Sequence, residues 1–188
     1  MRSAVIVVDV QNDFCEGGSL AVIGGGDVAR AISAWLGKGG FDHAVASRDH
    51  HVDPGEHFAE HPNYVDTWPP HCRVGTPGAE LHPSLDTRPL EAIFDKGDYD
   101  AAYSAFEGTS DGTGLDAWLR GHRVDVVEVV GLATDYCVRA TALDAAAAGF
   151  ATTVRLDLTA GVDPTTVDSA LAQLRAAGVT LIGAPIVR

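Results

Sequence analysis

Short, continuous runs of Val, Ile and Leu recur along the chain at residues 4–8, 43–47, 92–94, 124–130, 152–156 and 179–182, most of them closed by Gly, Asp or Ser. Runs that do not alternate in polarity read as strands buried on both faces. Between them lie stretches of helical character at 27–36, 114–120, 135–148 and 164–176. Strands alternating with helices predict parallel pairing through right-handed crossovers. The expected fold is therefore a three-layer α/β/α arrangement around a mostly parallel sheet of about six strands. Ligands of such sheets sit off the carboxyl ends of the strands, so the residues that follow each run are the ones to inspect.

One segment breaks the rhythm. From Asp49 to Asp86 there is little periodicity, and this stretch holds six of the nine Pro and six of the eight His. A structureless stretch of that length inside a compact domain is usually functional and needs something to hold it. No internal repeat or linker divides the chain, so residues 1–188 are expected to form one domain with a metal-binding loop region at about 49–86. Gly24-Gly25-Gly26 lacks the spacing of either phosphate-binding glycine fingerprint and reads as a flexible turn.

The length of 188 residues is enough to bury roughly 70% of the unfolded surface without covalent staples. Thirteen basic against 26 acidic residues give a net charge of −13, which repels nucleic-acid phosphates and anionic membranes and favours a small neutral or cationic partner. Three cysteines are too few and too odd in number for a disulfide framework, the first apolar run is too short for a secretory signal, and no stretch could span a bilayer. These features predict a soluble cytoplasmic protein, a monomer or a homodimer.

The sharpest chemistry follows the fourth run, in Gly131-Leu132-Ala133-Thr134-Asp135-Tyr136-Cys137. Thr134 or Asp135 is a natural N-cap and 140–148 is strong helix-forming sequence, so Cys137 falls in the first turn of a helix. There the helix dipole favours a thiolate, and unpaired backbone N–H groups could receive an oxyanion. A small buried hydrophobe is the bland alternative for Cys137. The first run ends at Asp9, a candidate base, and the third leads into Lys96, a candidate charge stabiliser.

The long segment offers Asp49-His50-His51, Glu56-His57 and Trp68-Pro69-Pro70-His71. A carboxylate with three imidazoles suits one divalent transition metal, Zn, Fe or Mn, with positions left for water or substrate. In an extended segment Asp49 and His51 project together while His50 projects away.

Together, Asp9-Val10-Gln11-Asn12-Asp13-Phe14, Asp49-x-His51 with His57 and Trp68-Pro69-Pro70-His71, Lys96-Gly97 and Ala133-Thr134-Asp135-Tyr136-Cys137-Val138 resemble the bacterial nicotinamidases, the pyrazinamidase-type members of the isochorismatase-like hydrolases. The resemblance runs in order from about Met1 to Gly161. It implies a catalytic triad of Asp9, Lys96 and Cys137, a single metal held by Asp49, His51, His57 and His71, and a substrate pocket lined by Phe14, Trp68, Tyr103 and Tyr136. It also implies a cis peptide at Leu132-Ala133, with the N–H groups of Ala133 and Cys137 as an oxyanion hole. The implied reaction is hydrolysis of nicotinamide to nicotinate and ammonia in NAD salvage, with pyrazinamide accepted as an analogue. His50 departs from the aromatic residue common at that place. The rival readings are a metal-free relative acting on isochorismate or an N-carbamoyl compound, and a non-enzymatic metal-binding domain.

Overall fold

Alternate side chains of the first strand feed two separate cores, which is why its sequence runs apolar without a break. The computed structural model describes residues Met1–Arg188. The elements run β1 (Arg2–Val8), α1 (Gly25–Leu36), β2 (His43–Asp49), β3 (Ala92–Lys96), β4 (Thr109–Ser110), β5 (Thr113–Gly114), α2 (Leu115–Gly121), β6 (Val124–Leu132), α3 (Arg139–Ala147), β7 (Ala151–Ala160), α4 (Pro164–Ala176) and β8 (Thr180–Ile182). Ala4, Ile6 and Val8 pack with Leu115 and Leu119 of α2, Ala142 and Ala145 of α3 and Leu174 of α4. Val5 and Val7 pack with Val28, Ala29, Ile32 and Leu36 of α1 on the opposite face. One helix covers one side and three cover the other, giving the three layers expected.

The sheet has eight strands in the order β5-β4-β3-β2-β1-β6-β7-β8, parallel from β3 through β8. From β1 the chain moves outward to β2 and β3, then crosses back to β6 on the other side. The reversal lies between β1 and β6, and in such sheets the crevice beyond the strand ends at that point is where ligands bind.

The two strands beyond the expected six are the antiparallel hairpin β4–β5, closed by Asp111 and Gly112, both at positive φ. Several runs extend past their hydrophobic core: β3 reaches Lys96, β6 reaches Leu132 and β7 reaches Ala160. The helix expected over 135–148 is divided. Residues Thr134–Val138 form a π-helical turn, in which the Val138 N–H donates to Ala133 O at 3.1 Å, and α3 follows it. Its cap position is Ala133, without a side-chain cap, rather than Thr134 or Asp135. Gly24-Gly25-Gly26 is not a free turn either. Gly25 and Gly26 open α1 because the Glu16 carboxylate accepts the N–H groups of Gly24 and Gly26 at 2.6 and 2.9 Å.

The irregular segment after β2 is held by single bridges, His51 with Arg73, Phe58 with Trp68, and Gln11 with Leu81. No helix is long and apolar enough to cross a membrane.

Candidate active site

Four neighbouring strand ends bring the sequence-selected groups together. Asp9 leaves β1 at φ 49°, its N–H bonded to Ser47 O at 3.1 Å and its Oδ1 accepting from Ser47 Oγ at 2.7 Å. Lys96 ends β3, with Nζ 2.9 Å from Asp9 Oδ2, hydrogen-bonded to Asp49 Oδ1, and 3.9 Å from Cys137 Sγ. The side chains of Asp9 and Lys96 are fully buried. Cys137 sits in the π turn beyond β6, and the Leu132–Ala133 peptide before it is cis.

Beside this cluster lie Asp49, His51, His57 and His71, all buried. His51 Nδ1 lies 2.6 Å from Gly97 O and His71 Nδ1 lies 2.8 Å from Pro69 O, so both rings are fixed through one nitrogen. Their Nε2 atoms lie 3.4 and 3.6 Å from Asp49 Oδ2. Nitrogens of His51, His57 and His71 lie within 4.8 Å of one another, and His51 Nε2 and His57 Nδ1 are buried without a hydrogen-bond partner. Buried polar atoms are seldom left unpaired, so three converging imidazoles, two of them beside one carboxylate oxygen, could hold a divalent cation. Gly97, at φ 79°, is needed here, because a Cβ would stand 2.7 Å from His51 Cε1. His50 points elsewhere, its Nδ1 2.6 Å from Asp98 Oδ1.

One pocket connects the two clusters. Asp49, His57, His71 and Cys137 lie on its wall together with Phe14, Trp68, Tyr103, Tyr136 and Ala133. Trp68 Nε1 donates to Tyr103 Oη at 3.0 Å, and its ring stands perpendicular to Tyr136 at 5.1 Å. Neither Arg nor Lys lines the wall, and Leu20, Ala21, Tyr64 and Val162 are among its remaining residues.

The isochorismatase domain model matches residues 3–185. The chain belongs to the isochorismatase family. Within that family it is 58% identical over 181 residues to the nicotinamidase/pyrazinamidase of Mycobacterium tuberculosis, covering 95% of this chain and 97% of that one. Among solved structures, the pyrazinamidase of Pyrococcus horikoshii in complex with zinc superposes with a TM-score of 0.83 at 35% identity, covering 97% and 99% of the two chains. The yeast nicotinamidase bound to the inhibitor nicotinaldehyde does so with a TM-score of 0.83 at 30% identity, covering 96% and 99%.

The electrostatics of this isochorismatase-family site follow from burial around one cation. Burial pushes the Asp49 carboxyl up, but the Lys96 charge together with His51 and His71 outweighs it and holds Asp49 well below the usual carboxylate range. Burial also pushes Asp9 up, and there Lys96 compensates only in part, so Asp9 titrates above an ordinary Asp. Lys96 itself loses solvation, yet Asp49, Asp9 and Cys137 keep it charged.

At Cys137 burial works against the helix-start effect that favours a thiolate. Burial and the nearby carboxylates raise its thiol well above the ordinary value despite Lys96. A thiol shifted in this direction calls for a neighbouring proton acceptor. Sequence reasoning missed three supporting residues, Ser47, Asp135 and Gln11. Gln11 Nε2 donates to Asp49 O at 2.8 Å and Ala79 O at 2.9 Å, while its Oε1 accepts the Asp49 N–H at 2.9 Å. The available signal in the sequence was only a Gln two positions after Asp9.

Proposed function

We propose that the protein is a nicotinamidase, hydrolysing nicotinamide to nicotinate and ammonia through a thioester on Cys137, with pyrazinamide as a second substrate. The observation that carries this reading is one mostly apolar pocket whose wall holds Cys137 together with Asp49, His57 and His71, with Asp9 and Lys96 buried beside them. Relatives bearing this activity in their names match nearly the whole chain.

Asp9 is the base within reach of the thiol. It takes the Cys137 proton as sulfur attacks the carboxamide carbon, and Lys96 holds the developing negative charge beside it. The oxyanion is received by the N–H groups of Ala133 and Cys137; the Ala133 N–H has no protein acceptor. Collapse breaks the C–N bond as Asp9 returns the proton to the leaving nitrogen, releasing ammonia. Water then attacks the thioester, Asp9 takes its proton and passes it to sulfur, and the free carboxylic acid leaves.

Phe14, Trp68, Tyr103 and Tyr136 form the aromatic walls that orient the ring so that the amide faces sulfur. A divalent metal, Zn, Fe or Mn, held by Asp49, His51, His57 and His71 would supply a Lewis-acid contact for a ring nitrogen. The absence of Arg and Lys from the pocket wall disfavours an acidic substrate such as isochorismate. Three free buried cysteines suit a cytoplasmic setting.

The test is ammonia release from nicotinamide by the purified chain. Turnover by the parent with none by Cys137→Ala supports the reading. A metal-replete parent that releases no ammonia refutes it and favours the metal-binding alternative.

A further inference from the structure

Of the run Thr134-Asp135-Tyr136-Cys137, the chemistry above uses only the last two residues. Asp135 is buried and does not line the pocket, yet its carboxylate is fully engaged. It accepts the Val162 N–H at 3.1 and 3.2 Å on its two oxygens, the Asp163 N–H at 3.3 Å and the Thr166 hydroxyl at 2.6 Å. These donors belong to the β7–α4 junction and the first turn of α4, where unpaired N–H groups and the helix dipole favour a negative charge. Gly161 lets the junction approach, because a Cβ there would stand 2.2 Å from the Val167 side chain.

The neighbouring residue is anchored to the other side. Thr134 Oγ1 donates to Thr159 Oγ1 at 2.8 Å, and that hydroxyl donates on to Leu156 O at 3.0 Å, within β7. Between the two anchors the backbone is a single π turn, in which Ala133 O accepts the N–H groups of both Tyr136 and Val138 at 3.1 Å. A π turn is rare and is found mostly as a single turn at functional sites. Its own hydrogen bonds do not distinguish it strongly from an ordinary helical start, so the external anchors decide the path. Cys137 lies two residues beyond Asp135, and its Sγ position beside Lys96 Nζ depends on that path.

We propose that Asp135 is a positioning residue that bolts the nucleophile's π turn to the N-terminus of α4 and so sets Cys137 against Asp9 and Lys96. This rests on the nicotinamidase reading above. The Asp135 carboxylate hydrogen-bonds no aromatic side chain and no metal ligand, although Tyr136 is its chain neighbour and Val162 lines the pocket, so its loss should lower kcat much more than it raises KM and leave metal content in place. A displacement of about 1 Å at a reacting atom can cost about 10²-fold in rate.

The experiment compares Asp135→Ala, Asp135→Asn and Thr166→Val for kcat and KM on nicotinamide, with metal content and circular dichroism as controls. Asp135→Ala is expected to lose about 10²-fold in kcat with KM within about threefold of the parent. Asp135→Asn keeps one oxygen for the two backbone N–H groups and should recover most of that loss. Thr166→Val removes one donor far from the pocket and should lower kcat by a few-fold at constant KM.

If Asp135→Ala does not fold, Asp135→Asn and Thr166→Val carry the same split. Parental kcat in both would overturn the proposal, as would a rise in KM or a loss of metal as large as the fall in kcat. A parent chain that releases no ammonia refutes the nicotinamidase reading instead. Asp135 is then scored by the rate at which iodoacetamide alkylates Cys137, which falls in Asp135→Ala if the turn moves and stays at the parent's rate if the proposal is wrong.

Discussion

Replacing Lys96 by Met removes the one positive charge between two buried carboxylates while keeping the length of the side chain. Lys96 Nζ lies 2.9 Å from Asp9 Oδ2 and hydrogen-bonds Asp49 Oδ1, and no part of its side chain reaches solvent. Breaking a buried ion pair by deleting one partner typically costs about 3–5 kcal/mol, because the remaining charge is left uncompensated. For a chain of this size each kcal/mol moves Tm by about 2–4 °C, so the expected fall is about 6–20 °C.

The loss should depend on pH in a direction the site fixes. In the parent, Asp49 is held below its ordinary value, so its stabilisation is present above the usual carboxylate range and lost on acidification through the depressed value. In Lys96→Met a buried carboxylate takes up a proton instead. The folded state then binds more protons than the unfolded one near neutrality, and stability falls as pH rises. The assay is calorimetry of the chelated protein, so that metal does not substitute for the ammonium, at pH 5 to 8. Adding Asp9→Asn to Lys96→Met should restore part of the loss by removing one of the two unpaired charges. A Lys96→Met cost below about 1 kcal/mol, in the range of an exposed pair, would refute the reasoning.

Asp9→Asn should reduce turnover by at least about 10²- to 10⁴-fold, because one carboxylate serves both half-reactions, while metal content stays at the parental level; loss of metal would move Asp9 into the metal site. His51→Ala should purify without metal and nearly inactive, whereas His50→Phe should keep both, and metal analysis of the two proteins would reverse the assignment if the pattern were opposite. Burial pulls His57 down from 6.5 to about 4. The metal-free protein should therefore lose up to about 3 kcal/mol from this group as pH falls between those values, where the unfolded chain binds the proton and the folded one does not. Denaturant titrations across that range check it, and a flat profile in the metal-free protein contradicts it.

The strands were legible because the central stretches of β1, β2 and β6, at 4–8, 44–46 and 129–132, are buried on both faces and run without a charged or polar side chain. Their ends were less so. Asp49 and Lys96 lie inside β2 and β3, since polar groups at a strand end can be buried against one another as readily as Val against Val. The β4–β5 hairpin is only two residues per strand, too short for a periodic signal, although the Asp111-Gly112 pair is a strong turn dipeptide that marks it.

The candidate metal ligands stood out by residue type, and the candidate triad of Asp9, Lys96 and Cys137 by position at or after a strand end. Gln11, Ser47 and Asp135 did not, because their work is to hold backbone and side-chain groups of other segments, a role set by contacts 27 to 68 residues away in the chain. The π turn had no signal at all: Thr134 and Asp135 read as N-caps, and only the anchors at Thr159 and α4 divert them from that role.

The central claim is that Cys137 carries the acyl group. Rapid acid quenching of the metal-loaded protein during turnover of nicotinamide, followed by peptide mass spectrometry, tests it most directly. A pyridine-3-carbonyl thioester on the peptide containing Cys137, absent from those containing Cys15 and Cys72, is the predicted result. Ammonia release persisting at the parental rate in Cys137→Ala, or the acyl group found on another residue, would contradict it.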